Sequence, residues 1–168
     1  MYRRPKQQTI YGTTQTFYKQ GDVRYVAHAI TANSAIALGK VQQNVRKENT
    51  TEEDHPDRIF WSGNHPSSLA DLLSAKSIRN AADLVRIEID CSLMPCDAEP
   101  SGCLFKVPKI IEGLGYPQGL PVYMFSHRDE DQASDGESTK RVIKCKLGDS
   151  ADALRKAYAA NEDWSWVS

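Results

Sequence analysis

Short apolar runs separated by polar stretches give this chain the pattern of an α/β domain. Residues 22–32 place four apolar side chains at helical spacing behind a capping aspartate, which predicts a short helix. Ile36 and Leu38 alternate with small residues before Gly39, and this predicts a strand that ends or bulges at the glycine. Residues 47–57 are charged and rich in turn formers, so we expect a loop there.

The middle of the chain predicts two strands and two helices. Residues 58–62 form a brief apolar run, which we interpret as a buried strand. Pro66 suits the first turn of a helix, and the leucines of residues 65–83 share one helical face. Residues 85–89 alternate as a central strand does, and a second helix is predicted over residues 103–112.

The last third completes the pattern with a turn, two strands and a helix. The predicted ranges are a turn at 113–121, strands at 122–126 and 141–147, an acidic loop at 128–139 between them, and an amphipathic helix at 151–160. This order of elements predicts a three-layer α/β/α sandwich with a mixed central sheet. We expect one domain over residues 1–168, with a core at about 34–147, an N-terminal arm at 1–21 and a C-terminal helix and tail at 150–168.

Composition narrows the classes of function. The 168 residues carry a net charge of -1, which argues against binding nucleic acid through bulk charge. Lys140, Arg141, Lys144 and Lys146 form a local basic cluster, which suits either phosphate contacts or the protection of an edge strand. No apolar stretch is long enough for a membrane span or a signal peptide, so synthesis in the cytoplasm is expected. A domain later delivered elsewhere would have the same sequence features.

Three of the four cysteines, Cys91, Cys96 and Cys103, lie close together in the sequence. His65, Cys96 and Cys103 are predicted to lie where strands end and helices begin, and they offer the nitrogen and sulfur ligands that zinc favours. Exposed amides at helix N-termini would stabilise the thiolates. The alternative is that Cys96 and Cys103 are structural thiols or a disulfide. Cys91 and Cys145 are expected to be small buried hydrophobic residues on strands.

The order strand, strand, helix opening with His65, strand, Pro95-Cys96, Cys103, helix, strand resembles the zinc-dependent cytidine-deaminase superfamily. The resemblance covers residues 34–147 and is strongest to the bacterial polymorphic-toxin branch. It implies that His65, Cys96 and Cys103 hold zinc, whose bound water attacks a cytosine and releases ammonia. The implied substrate is cytosine in DNA or RNA, single-stranded or double-stranded, or in a free nucleotide. It also implies an immunity protein as partner and secretion by a specialised system into a target cell.

One position departs from the family pattern. The family places a glutamate, which carries protons, two residues after the histidine, and Ser67 stands at that position here. A serine hydroxyl does not act as a general acid or base near neutral pH, because its pKa lies far above neutrality, so this alignment predicts impaired deamination. Three explanations stay open: an active-site variant, a shifted alignment, or a non-catalytic descendant. Asp71 and Glu88 are the candidates for a displaced carboxylate.

Aromatic residues supply the remaining candidates. Trp61, Phe125 and His127 are predicted to contact a flipped base, whereas Phe60 and Tyr123 are expected in the core. The FWSG segment at residues 60–63, followed by VRIEID, also resembles ADP-ribosyl-cyclase-like NAD hydrolases. That resemblance implies that Trp61 stacks on nicotinamide and Glu88 holds the ribose. A third alternative is a non-catalytic binding protein with a deaminase fold.

Overall fold

The computed structural model describes residues 22–45, 56–63, 65–97, 102–128 and 141–163. The strands are β1 (Asp22–Thr31), β2 (Ala35–Ala37), β3 (Gln42–Val45), β4 (Leu84–Leu93), β5 (Pro121–Arg128), β6 (Arg141–Lys146) and β7 (Glu162–Asp163). The helices are α1 (Pro56–Gly63), α2 (Leu69–Ser74), α3 (Cys103–Gly113) and α4 (Ala151–Ala159), with a 3-10 turn at Ala81–Asp83. The fold is therefore α/β, as predicted.

The strands form one mixed sheet. Its order is β2-β1-β4-β5-β6-β7, and β3 also pairs with β1. β4 and β5 run parallel, whereas the other pairs are antiparallel. α3 connects β4 to β5, because parallel strands need a crossover. The segment after β4 therefore leads from the carboxyl end of a central strand into α3.

The helix predicted for residues 22–32 is wrong, because this segment is β1. Tyr25, Ala27 and Ala29 belong to the main core, whereas the intervening side chains point to the other face of the sheet. Both sets are buried between residues 25 and 30. A strand with two buried faces carries apolar residues at nearly every position, and helical spacing then arises by coincidence.

The strand predicted for residues 58–62 is also wrong, because this run lies in α1. Phe60 and Trp61 are adjacent and both buried, with 0% and 2% of their surfaces exposed. Both residues belong to the main core. An apolar run of this length does not distinguish a strand from a buried helix, and contacts with α3 and β1 decided the outcome.

The long helix predicted for residues 65–83 is much shorter in the structure. Ser68 caps α2: its hydroxyl accepts from the Asp71 amide at 3.1 Å, and the Asp71 carboxylate accepts from the Ser68 amide at 2.9 Å. Lys76 has φ of 58°, and the segment after α2 leads into the 3-10 turn at Ala81–Asp83. Of the predicted apolar face, Leu72 and Ile78 reach the core, whereas Leu73 is 37% exposed.

The remaining predicted elements within the described ranges are confirmed. They are the strands at β4, β5 and β6, the turn before β5, and helices α3 and α4. β2 confirms a short strand before Gly39. The predicted arm at 1–21, most of the loops at 47–57 and 128–139, and the tail at 164–168 lie outside the described residues. None of the described helices is long and apolar enough to cross a membrane.

The two faces of the sheet differ in chemistry. On the face covered by the helices, one row across the strands is Ala27, Ile89, Met124 and Ile143. On the opposite face, the adjacent row is His28, Glu88, Tyr123 and Lys144. Because successive strand residues alternate between faces, these two rows are separated by the thickness of the sheet.

Candidate functional site

Cys96 and Cys103 meet at the first turn of α3. The Cys103 amide donates to Cys96 Sγ at 3.0 Å, and the Leu104 amide donates to the Cys96 carbonyl at 3.0 Å. Gly102 occupies the N-cap position and has no side chain to accept these bonds. Cys96 therefore caps the N-terminus of α3, and its sulfur lies next to Cys103.

Asp57 approaches the same point from the first turn of α1. Its side chain is only 6% exposed, and its carboxylate forms a hydrogen bond with the Cys103 side chain. α1 and α3 pack against each other, which positions this contact. The helix packing thus brings one carboxylate and two thiols together.

The proximity of these groups raises the pKa of Cys103. The hydrogen bond with Cys96 is the largest cause, followed by burial and by the negative charge of Asp57. Thiolates and a carboxylate repel one another in a buried setting, so the thiol keeps its proton. A cation at this point would reverse that preference, because it compensates the negative charges.

A small, partly open pocket adjoins this cluster. Its walls come from β1, α1, β4 and α3, with a contribution from β5. The lining residues are Tyr25, Asp57, Ile89, Cys91, Pro95, Cys103, Val107, Met124 and Phe125. Apolar side chains make most of the wall, and Tyr25, Asp57, Cys91 and Cys103 are the lining residues that carry polar or thiol groups. The free space in the pocket is about the size of one water molecule.

His65 and Ser67 lie in the segment that precedes α2. His65 is exposed and has φ of 47°. Ser67 donates its amide to the Leu38 carbonyl at 2.8 Å, and its own carbonyl accepts from the Tyr116 hydroxyl at 2.7 Å. The predicted arrangement in which His65 opens a helix is wrong, because α2 begins at Leu69. Ser67 instead connects the β2 end to the turn after α3 through its backbone.

The donor chemistry of Cys96 and Cys103 suits zinc, and the structure brings these two predicted ligands together. Across the described residues, no group of three or more His, Cys, Asp or Glu side chains is arranged to hold a metal ion. The cysteine pair therefore supplies two donors. A third protein donor would be needed to complete a catalytic zinc site.

The predicted substrate-contact residues occupy different surroundings. The Trp61 indole is buried, and its Nε1 donates to the Tyr25 hydroxyl at 2.7 Å. Phe125 borders the pocket and also packs against Val142 on the opposite face of the sheet. His127 lies on β5, and its side chain is outside the part of the chain that the structure describes.

The two candidates for a displaced carboxylate lie away from the cysteine pair. Asp71 is fully exposed and caps α2, and hydrogen bonds from Ser68 lower its pKa. Glu88 is 2% exposed on the opposite face of the sheet, where its Oε2 accepts from Arg86 Nε at 2.8 Å. Both carboxylates therefore have structural partners of their own.

The sequence also predicts four residues in the core, and the structure gives them different surroundings. They are Phe60, Cys91, Tyr123 and Cys145. Cys145 is buried on β6, and its Sγ donates to the Val122 carbonyl at 3.5 Å. Burial, with a smaller effect from Asp149, raises its pKa to about 12. Cys91 is partly buried on β4 and borders the pocket. Phe60 is in the core as expected, and Tyr123 lies half-buried on the opposite face.

Sequence reasoning missed Asp57 and Tyr25. The charged pattern of residues 47–57 predicts a solvated loop for Asp57, although His55-Pro56-Asp57 has the spacing of a histidine and an acidic residue that the deaminase motif requires. Proline suits the first position of a helix, so this signal was available in the sequence. Tyr25 fell in a segment interpreted as a helix, and its place in the pocket follows from its strand.

Comparisons with known proteins returned no relative for this chain. No protein-family model, no curated protein and no solved structure matches it.

Proposed function

We propose that this protein is a zinc-dependent hydrolytic deaminase acting on cytosine. The observation that carries the proposal is the meeting of Asp57, Cys96 and Cys103 beside a small pocket at the first turns of two helices. Two thiols and a carboxylate in this position match the donor and proton-carrier chemistry of that reaction. The proposal includes the finer fold, a three-layer sandwich of the cytidine-deaminase type.

The order of elements supports the proposal. β2 and β3 precede α1, and β4 leads through Cys96 and Cys103 into α3 and then β5. This is the order by which the sequence resembles the deaminases, with α1 in the place of the helix that opens with histidine. In this proposal the histidine-bearing helix of the family corresponds to α1 and not to the segment that begins at His65.

With the alignment on α1, Asp57 takes the position of the family's glutamate, which is a serine in the alignment on His65. Asp57 stands two residues after His55, and an acid two residues after a histidine is the family spacing. His55 itself lies outside the described residues, so its part rests on sequence position alone. Asp57 is one methylene shorter than the glutamate of the family. Its burial in contact with Cys103 offsets this, because the carboxylate is already held at the cluster.

Each residue then has a defined part in the reaction. Zinc, when bound, supplies a water of lowered pKa. Cys96 and Cys103 would hold the metal as thiolates. Asp57 would take a proton from the attacking water and give it to the leaving amino group, so that ammonia departs. The apolar side chains of Ile89 and Met124, which line the small pocket with Asp57 and Cys103, would limit the access of bulk water to these groups.

The biological setting is part of the same proposal. The substrate would be cytosine in nucleic acid or in a free nucleotide, and the protein would act as a bacterial toxin module neutralised by an immunity protein. The resemblance supports this setting. A toxin of this kind would be made in the cytoplasm and secreted into a target cell.

The test is conversion of cytosine to uracil by the purified chain with added zinc. Substrates are single-stranded DNA, double-stranded DNA, RNA and cytidine 5′-monophosphate, and uracil and ammonia are measured. Asp57→Asn should abolish turnover, because its amide cannot carry the proton. Asp71→Asn is the matched control, since Asp71 is exposed and caps α2. Wild-type protein that binds zinc and deaminates none of these substrates would overturn the proposal.

A pair of histidine variants tests the alignment. His55→Ala should lose zinc and activity, whereas His65→Ala should retain both. The reverse result would support the alignment on His65 and would contradict the role proposed for Asp57.

The geometry does not favour the alternative of NAD hydrolysis. Trp61 lies in the core on the helix-covered face, and Glu88 points to the opposite face of β4. The two side chains therefore do not share one site. If the wild-type chain fails the deamination test, we would interpret it as a non-catalytic binding protein.

A further inference from the structure

The thiols of Cys96 and Cys103 are in direct contact. Both cysteines are free in the structure, and their side chains share a hydrogen bond. Two further contacts hold the pair together: the Cys103 amide donates to Cys96 Sγ, and the Leu104 amide donates to the Cys96 carbonyl, each at 3.0 Å. A disulfide forms only between cysteines whose backbones are close and whose β-carbons face each other. The side-chain and backbone contacts at the start of α3 indicate that this pair meets both conditions.

The two thiols differ in their exposure to solvent. Cys103 is 0% exposed, whereas Cys96 is partly exposed and precedes the exposed Asp97. The sulfur of Cys96 also accepts an amide hydrogen bond at the first turn of α3, which favours a negative charge on that sulfur. The thiolate is the reactive form of cysteine. A dissolved oxidant therefore reaches Cys96 first, with Cys103 behind it as the second thiol.

We propose that Cys96 and Cys103 are a redox site, at which a low-molecular-weight disulfide such as oxidised glutathione converts the two thiols into a reversible intramolecular disulfide. Cys96 is the residue that reacts with the oxidant, and Cys103 is the residue that completes the bond. An accessible cysteine with a neighbouring second thiol is the usual site of reversible oxidation. The inference concerns the cysteine pair alone and does not rest on deamination.

The reaction consists of two thiol–disulfide exchanges. In the first, the Cys96 thiolate attacks one sulfur of the oxidant, whose S–S bond breaks, so that one thiolate leaves and Cys96 carries a mixed disulfide. In the second, the Cys103 sulfur attacks Cys96 Sγ and releases the other half of the oxidant as a thiolate. The protons of Cys96 and Cys103 pass through water to the two departing thiolates. The cysteine pair loses two electrons, and the oxidant gains them.

A disulfide and a metal ion cannot share this pair of sulfurs. Zinc binds cysteine as the thiolate, and a disulfide sulfur carries no such charge. Oxidation should therefore abolish metal binding by Cys96 and Cys103, and bound zinc should protect the pair from oxidation. The test is for this reason made both with and without a chelator.

The experiment maps disulfides in the purified full-length chain after incubation with oxidised glutathione. Free thiols are then blocked with N-ethylmaleimide in denaturant, and the chain is digested and analysed by mass spectrometry. In the presence of the chelator we expect Cys96 joined to Cys103, with Cys91 and Cys145 alkylated. Dithiothreitol added before the blocking step should restore all four thiols.

Two single variants test the order of the steps. In Cys103→Ser, glutathione should remain attached to Cys96, because no second thiol displaces it. In Cys96→Ser, Cys103 should stay unmodified in the folded chain, because it is 0% exposed. Cys145→Ala is the matched control and should form the disulfide at the wild-type rate, since Cys145 lies on β6 and its Sγ donates to the Val122 carbonyl.

The outcomes separate this inference from the proposed function. Cys91 is the competing partner because it borders the same pocket as Cys103, and a bond between Cys91 and Cys103 overturns the inference. The inference is also overturned if all four thiols of the wild type stay free with the chelator present. A disulfide between Cys96 and Cys103 that forms equally without the chelator, in a chain that binds no zinc, supports the inference and contradicts the proposed metal site. A disulfide that forms only with the chelator supports both.

Discussion

The amide of Cys103 donates a hydrogen bond to the sulfur of Cys96, and this contact joins the end of β4 to the start of α3. Cys96 therefore has two roles. Its sulfur satisfies an amide of the helix, and the same sulfur is a candidate zinc ligand. Substitutions at Cys96 can distinguish the capping role from the metal-binding role.

Zinc binding should depend on both cysteines. We expect about one zinc per chain in natively purified protein, by the chemistry of thiolate ligands. Cys96→Ala and Cys103→Ala should lose it, whereas Cys145→Ala should retain it because Cys145 lies on β6 within the core. Metal content measured by mass spectrometry checks this. Native protein without zinc would remove the metal site from the proposal.

The helix-capping part of Cys96 should remain in the metal-free protein. Cys96→Ser keeps an acceptor for the Cys103 amide, whereas Cys96→Ala removes it. By analogy with other helix caps, the alanine variant should be less stable than the serine variant by about 1 kcal/mol. Urea denaturation in the presence of a chelator measures the difference. Equal stabilities would mean that the sulfur does not support the helix.

The ion pair between Arg86 and Glu88 should support the opposite face of the sheet. Glu88→Gln should reduce the free energy of unfolding by about 3 to 5 kcal/mol, because it removes the charge of the carboxylate whose Oε2 lies 2.8 Å from Arg86 Nε in a largely buried position. Glu162→Gln is the control: the Lys144–Glu162 pair is exposed, and its loss should cost less than about 1 kcal/mol. Similar losses for the two variants would contradict this account.

The capping box of α2 should depend on pH. Hydrogen bonds from Ser68 lower the pKa of Asp71 in the folded protein. A lowered folded pKa stabilises the protein above the unfolded pKa of about 4, and this stabilisation is lost as pH falls through the folded value. Wild-type protein should therefore be more stable than Asp71→Ala at neutral pH, and the difference should shrink below about pH 4. Thermal unfolding between pH 2 and 7 measures it.

Cys145 should contribute to loss of stability at alkaline pH. Burial raises its folded pKa to about 12, whereas an unfolded cysteine ionises near pH 8.5. Ionisation then favours the unfolded chain as pH rises between these values, by up to about 1.4 kcal/mol per pH unit. Cys145→Ala should show a shallower decline than the wild type in denaturation at pH 8 to 11. Parallel declines would contradict the buried thiol.

The elements that sequence predicted well are those with an unambiguous pattern. β4 alternates and α3 begins near a glycine cap, and both were placed within a few residues of their observed ends. β1 and α1 were misassigned, because their apolar runs were short or buried on two sides. These two errors affected the site, since Tyr25 lies on β1 and Asp57 on α1.

The sequence by itself determined the α/β class, the central strand β4 and the two cysteines that flank the loop before α3. Local patterns suffice for these features, because they depend on alternation, turn formers and residue type. Only the tertiary structure decided that Asp57 contacts Cys103, that His65 is exposed and that Trp61 donates a hydrogen bond to Tyr25. These relationships depend on the packing of α1 against α3 and β1, and such contacts between distant segments leave no local pattern in the chain.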